Sequence, residues 1–194
     1  MRHRLLIAGI VGCAAAAGAG FTLTPQKADS FAQKLSAVLA RSDTPASEHV
    51  TEFSNDELNA YLQLRMAPTF PPGVTEPVVT FVGQGRLIGR AIVDLDGLRK
   101  KSSGGWFDPA AYLAGKLPVT AVGTLRTANG IGQLALERAE VSGVPVPLTL
   151  LQELVTLYTK SSALPAGFNL NEPFELPSHI QRIEVGAGLA VVVQ

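Results

Sequence analysis

The sequence predicts an α+β domain built on an antiparallel sheet. Paired segments show two-residue hydrophobic alternation and meet at glycine turns, while other segments carry apolar residues at spacings of three and four. One of these, residues 145–160, is apolar around most of its circumference.

Taken in order, Asp29–Arg41 forms a first helix, with Phe31, Leu35, Val38 and Leu39 on one stripe, and Ser42–Ala46 a turn. Residues 53–66 (FSNDELNAYLQLRM) form a second helix. Ser54 and Glu57 have the spacing of a capping box, Phe53 and Leu58 that of a hydrophobic staple, and Pro68, Pro71 and Pro72 end the helix. Its inner face holds Leu58, Tyr61, Leu62 and the stem of Arg65. From Pro77 the period becomes two, giving a hairpin over residues 77–98 that turns at Gly83-Gln84-Gly85. On its second strand Leu87, Gly89, Ala91, Val93 and Leu95 share one face, and Arg90, Asp94 and Asp96 the other. A basic loop, Arg99–Gly105, precedes a short helix, DPAAYLAGK, opened by Asp108-Pro109. A second hairpin pairs Leu117–Thr127 with Ile131–Val141 through Asn129-Gly130, a strong two-residue turn signal. The long helix follows, with Pro147 suited to its first position. Leu148, Leu150, Leu151, Leu154, Val155, Leu157 and Tyr158 give it a very wide stripe. A last hairpin, Pro177–Gln194, turns at Gly186-Ala187-Gly188.

Composition narrows the function. Of 194 residues 46% are hydrophobic and 16% charged, with 16 basic against 16 acidic side chains. Ordinary soluble domains carry about 25% charged residues. A zero net charge excludes the basic surplus of a nucleic-acid binder, and the apolar content excludes disorder. The N-terminus has Arg2, His3 and Arg4, then 19 uncharged residues from Leu5 to Leu23, which is the pattern of an export signal. Ile10-Val11-Gly12-Cys13 has lipobox form, Ala17-Gly18-Ala19 suits plain cleavage, and retention as an anchor is the third alternative. Residues 1–23 are therefore read as signal or anchor, 24–52 as an N-terminal helical segment and 53–194 as one α+β domain, exported to the periplasm. Cys13 is the sole cysteine, so the mature domain has no disulfide, thiol nucleophile or thiolate metal site.

The inventory of reactive groups is thin. GQGRLIG at residues 83–89 precedes a strand pattern where a dinucleotide loop needs a helix. Glu48, His49 and Glu52 offer fewer strong ligands than a zinc site needs. There is no G-x-S-x-G, and Asp94, Asp96 and His179 suit a hydrolase only if they converge. Arg99-Lys100-Lys101 reads as a solvated loop or a contact to anionic headgroups. The expectation is a non-enzyme with no cofactor and no metal.

FSNDELNAYLQ resembles the E-L-N-x-x-L opening of YceB-like periplasmic proteins, and residues 117–147 resemble their central hairpin and its run into a leucine-rich helix. Residues 161–193 resemble the ending of LmeA-like proteins, although Pro173–Pro177 interrupts the pattern. The similarity covers about residues 53–193. It implies the tubular lipid-binding, BPI-like fold, in which a curved antiparallel sheet wraps a long helix and leaves an apolar slot for acyl chains. In that fold the slot takes Leu58, Tyr61, Leu62, Phe81, Val93, Leu95, Leu125, Leu134, Leu151, Leu154, Val155 and Tyr158. Gly89, Ala91, Ala121 and Ala135 supply small residues on the same sheet face. The expected function is binding or carriage of a phospholipid or other acyl lipid in the cell envelope, at the membrane through the N-terminus. The alternative is a membrane-tethered scaffold that offers a sheet edge to an envelope protein and holds no ligand.

Overall fold

The computed structural model describes residues 21–41, 48–70, 73–94, 115–160, 165–167, 169–170 and 172–194, without the side chains of Leu150, Leu154, Leu157, Tyr158 and Thr159. The elements are α1 (Pro25–Leu39), β1 (Val50–Ser54), α2 (Asn55–Leu64), a 3-10 turn (Ala67–Thr69), β2 (Val74–Gly83), β3 (Arg86–Asp94), β4 (Lys116–Ala128), β5 (Ile131–Val141), β6 (Val144–Val146), α3 (Leu148–Thr159), β7 (Phe174–Glu175), β8 (Arg182–Val185) and β9 (Leu189–Val193).

They form two antiparallel sheets. The larger has the order β2-β3-β4-β5-β6, with β7 also on β5; the smaller has the order β1-β9-β8. The α+β class and both central hairpins match the sequence reading. Asn129 and Gly130 sit at φ 50° and 78°, as their two-residue turn requires. Ser142 and Gly143 (φ 52° and 80°) make a further tight turn that adds the unanticipated β6.

Helix α1 starts four residues before its expected position, because Thr24 caps it by accepting from the Lys27 amide and Pro25 is tolerated in the first turn. The region read as helical through residue 52 contains strand β1, which pairs with β9, Phe53 opposite Ala190. The capping box is present: the Ser54 hydroxyl accepts from the Glu57 amide (3.2 Å), and Glu57 Oε2 accepts from the Ser54 amide (2.9 Å).

The two sheets are joined at hairpin tips. Gly85 donates to Val185 O (3.0 Å) and Gly130 to Gln181 O (3.0 Å), while Thr127 Oγ1 accepts from Ile183 N (2.7 Å) and donates to Ile183 O (2.9 Å). These bonds use backbone groups of β8 that an edge strand would otherwise leave open. Gly85 must be glycine here: its φ is +81°, and a Cβ would lie 2.7 Å from Leu125 O.

Apolar packing divides into three clusters. Val38, Phe53, Ile180 and Val192 form one beneath α1, with Phe31, Leu35, Leu176 and Ile183. Phe81, Val185 and Ala190 form a second with Leu58, Val79, Leu87 and Leu125. Val93 and Val141 form a third with Ala91, Leu117, Val119 and Val146.

The expected wrapping of the sheet around a long helix is not what the described residues show. Helix α3 is 12 residues long and packs beside β5, whereas α2 and the small sheet cover the large sheet near its β2–β3 turn. An apolar stripe reports how much of a helix must be covered, and leaves open which element covers it. The short helix expected after Asp108 lies outside the described residues, as do Cys13, Leu95, Asp96 and Arg99–Lys101. Among the described residues no helix is long and apolar enough to cross a membrane.

Candidate functional site

Cross-strand partners share a sheet face, so the register assigns each side chain to one side of the large sheet. One face carries Phe81, Leu87, Gly123 and Leu136 in a row across four strands. The next row on that face is Val79, Gly89, Ala121, Ala139 and Val146, and the one after it runs Ala91, Val119, Val141 and Val144. The middle row is thus a furrow floored by Gly89, Ala121 and Ala139, between one ridge that includes Leu87 and Leu136 and another that includes Val119 and Val141. The row is half-buried at Gly89 and Ala121 but covered at Ala139, which is 1% exposed, so its open stretch lies over β3 and β4. No atom of the described residues lies within 4 Å of the position a Cβ on Gly89 would take. Gly89 itself is half-buried.

At the β2 end of the furrow, α2 docks through a polar ladder that the sequence reading did not find. Asn55, Asn59 and Gln63 recur every four residues and lie on one face of the helix. Asn55 Oδ1 accepts from Phe81 N (2.8 Å); Asn59 Oδ1 accepts from Val79 N (2.8 Å), and its Nδ2 donates to Val79 O (2.7 Å); Gln63 Nε2 donates to Pro77 O (3.1 Å). Asn59 is fully buried. The three side chains therefore take up backbone groups along the edge of β2 away from β3, where no described strand pairs. A polar N-x-x-x-N-x-x-x-Q stripe beside an apolar one was the available signal.

The acidic start of α2 is tied to α1. Glu57 Oε1 accepts from Ser30 Oγ and Lys34 Nζ (2.6 Å each), and Asp56 pairs with Lys27. Burial raises the Glu57 pKa, but the hydrogen bonds from Lys34, Ser30 and Ser54 outweigh it and lower the carboxyl from 4.5 to about 2.

The sequence-derived slot residues separate. Phe81, Leu125 and Leu58 meet in the second cluster and Val93 lies in the third. Leu134 lies on the furrow face opposite Leu125. Ala135 pairs with Thr124 on the reverse face, since adjacent strand residues point oppositely. Tyr61 stacks on Phe31 of α1 with ring centroids 4.8 Å apart. Leu62 is half-buried on α2. Leu151 and Val155 are half-buried on α3, and the side chains of Leu154 and Tyr158 are outside the described set. Asp94 ends β3 in the large sheet, and His179 lies in the turn before β8 in the small one. His49 exchanges backbone bonds with Gln194 in extension of β1, so His49 and Glu52, three apart on extended backbone, point to opposite sides.

A cavity of about 470 Å³ lies between α3 and the segment around residues 166–174, lined by Gln152, Thr156, Asn169, Glu172, Pro173 and Phe174 among others. Phe174 forms part of its wall and also packs over Gly132 at the start of β5.

No protein-family model matches this chain, and no curated protein does. Among solved structures, a crystal structure of lipopolysaccharide binding protein is similar over 75% of this chain and 40% of its own, at 17% identity and a TM-score of 0.21. The chain therefore spans about two fifths of that protein's length, and a score that low carries no argument about this chain's fold or ligand.

Proposed function

We propose that this chain binds an acyl lipid on the apolar face of its larger sheet, with a hydrocarbon chain lying over Gly89 and Ala121 towards the covered Ala139, and that it does no covalent chemistry. The observation that carries this reading is the stretch over Gly89 and Ala121: two minimal side chains flanked by apolar neighbours on β2–β5, with no described atom within 4 Å of a Cβ on Gly89. Each methylene moved there from water contributes about 0.8 kcal/mol without any catalytic group. The cell-envelope setting rests on the export-signal pattern of residues 1–23. The test is native mass spectrometry of protein purified without detergent, followed by solvent extraction. A stoichiometric lipid supports the reading. An unliganded mass that stays unchanged after incubation with phospholipid vesicles refutes it and favours the tethered scaffold.

A further inference from the structure

The turn between β5 and β6 and the start of α3 form an uncharged, exposed tip. From Val141 to Gln152, between Glu140 and Glu153, the chain carries no charged residue. Val144 is 64% exposed, more than any other large apolar side chain among the described residues, and Leu148 is 36% exposed. Ser142, Gly143, Pro145, Pro147 and Thr149 are exposed with them, and only Val146 in this run is half-buried. Apolar side chains standing singly at a surface are ordinary; these stand together.

The backbone restricts what covers the tip. Ser142 (φ 52°) and Gly143 (φ 80°) make a tight turn closed by the pair Val141–Val144, so Val144 and, two residues on, Val146 direct their amides to β5. The Ser142 amide donates to Pro118 O (2.7 Å). The outward-facing position between them is Pro145, and the next is Pro147; neither has an amide hydrogen. The free edge of β6 therefore offers no donor from residue 144 to residue 147, and a partner strand could not build a ladder on it. The same backbone suits a lipid surface, where an amide left without an acceptor is costly. The amides that remain without intrahelical bonds are those of the first turn of α3, which has no side-chain cap. They set a shallow depth, at the headgroups, whose phosphate and ester oxygens accept. On the export-signal reading of residues 1–23, a membrane lies in the chain's path.

We propose that residues 142–149 dock this protein on the headgroup–acyl boundary of a lipid bilayer, through apolar contact and not through charge. The surface is separate from the acyl-chain stretch over Gly89 and Ala121, and the inference does not rest on it.

The test is millisecond amide exchange of the full chain, read at Gly143, Leu148 and Thr149, with and without phosphatidylcholine vesicles. The vesicles are expected to slow exchange at these amides by about tenfold or more, and to leave Asn129, in the turn at the opposite end of β5, unchanged. Adding phosphatidylglycerol to the vesicles, or raising the salt, is expected to leave the slowing as it is. Val144→Asp combined with Leu148→Asp is expected to abolish it without altering exchange in the absence of vesicles. Should that variant unfold, Val144→Thr takes its place and is expected to reduce the slowing about threefold. No slowing at the tip, or slowing that survives these substitutions, overturns the proposal. So does slowing that needs phosphatidylglycerol and vanishes in salt, which would place the contact on charged residues. Slowing that appears without vesicles as the protein concentration rises also overturns it, in favour of a second copy on this surface. Lipid carried by the aspartate variant in native mass spectrometry is read separately and reports only on the acyl-chain stretch.

Discussion

Replacing Gly89 with leucine separates binding from folding in a single substitution. Gly89 sits in mid-strand on β3 with a backbone conformation outside the left-handed region, and a Cβ there meets no described atom within 4 Å. A side chain can therefore leave the backbone there without its Cβ displacing a described atom. Glycine inside a strand costs about 0.5–1 kcal/mol relative to alanine, so Gly89→Leu should raise stability by roughly that amount or leave it level. The added side chain fills the furrow with four carbons, the volume of about four ligand methylenes. At about 0.8 kcal/mol each they account for about 3 kcal/mol, or roughly a 100-fold weaker Kd. Urea denaturation and displacement of a fluorescent fatty acid would read the two quantities in the same preparation. A stable variant that binds with wild-type affinity would refute the placement of the chain over Gly89. A stability loss beyond about 1 kcal/mol would show that protein atoms already fill the furrow.

Further outcomes follow from the supports of this surface. Asn59→Ala deletes three hydrogen bonds and leaves the half-buried Val79 amide and carbonyl without their partners. At about 1 kcal/mol per bond, urea denaturation should show a loss of about 3 kcal/mol, and a loss below 1 kcal/mol would contradict the edge-pairing role. Glu57 has a folded-state pKa below its ordinary 4.5, so its contribution is present above pH 4.5 and is lost as pH falls toward 2. Glu57→Gln should therefore lower stability at pH 7 and flatten the acid limb of the stability curve between those values. An unchanged slope would remove Glu57 from the network. Gln194 donates to Val38 O (2.9 Å) and Ser178 O (2.6 Å) and accepts from Arg41 (2.9 Å). Gln194→Ala should cost about 2–3 kcal/mol by thermal or urea unfolding, and a shift within 0.5 kcal/mol would show those contacts to be dispensable.

The parts of the fold that were legible are those determined by neighbours in sequence. Alternation and Asn129-Gly130 located β4 and β5 to within a residue, and the Ser54–Glu57 spacing located the start of α2. Strand β1 was hidden because five residues merge into the helix cap and its partner, β9, lies about 140 residues later. The wide stripe of α3 was overread as a central position, although periodicity does not name the covering element. The face of Leu87, Gly89, Ala91 and Val93 was legible from period two, yet the furrow needed the register that aligns Gly89 with Ala121 and Ala139. The α2 ladder was legible only as a polar stripe without a destination. The cavity was beyond reach, since Gln152, Asn169, Glu172 and Phe174 carry no motif and meet only through tertiary packing.

The most direct measurement is photo-crosslinking with a phospholipid that carries a diazirine midway along one acyl chain, with adducts mapped by peptide mass spectrometry. The account predicts adducts on β3 and β4 around Gly89, Ala91 and Ala121, and their disappearance in Gly89→Leu. Adducts on the reverse face around Ile88, Arg90 and Thr120, or a pattern unchanged by the leucine, would contradict it.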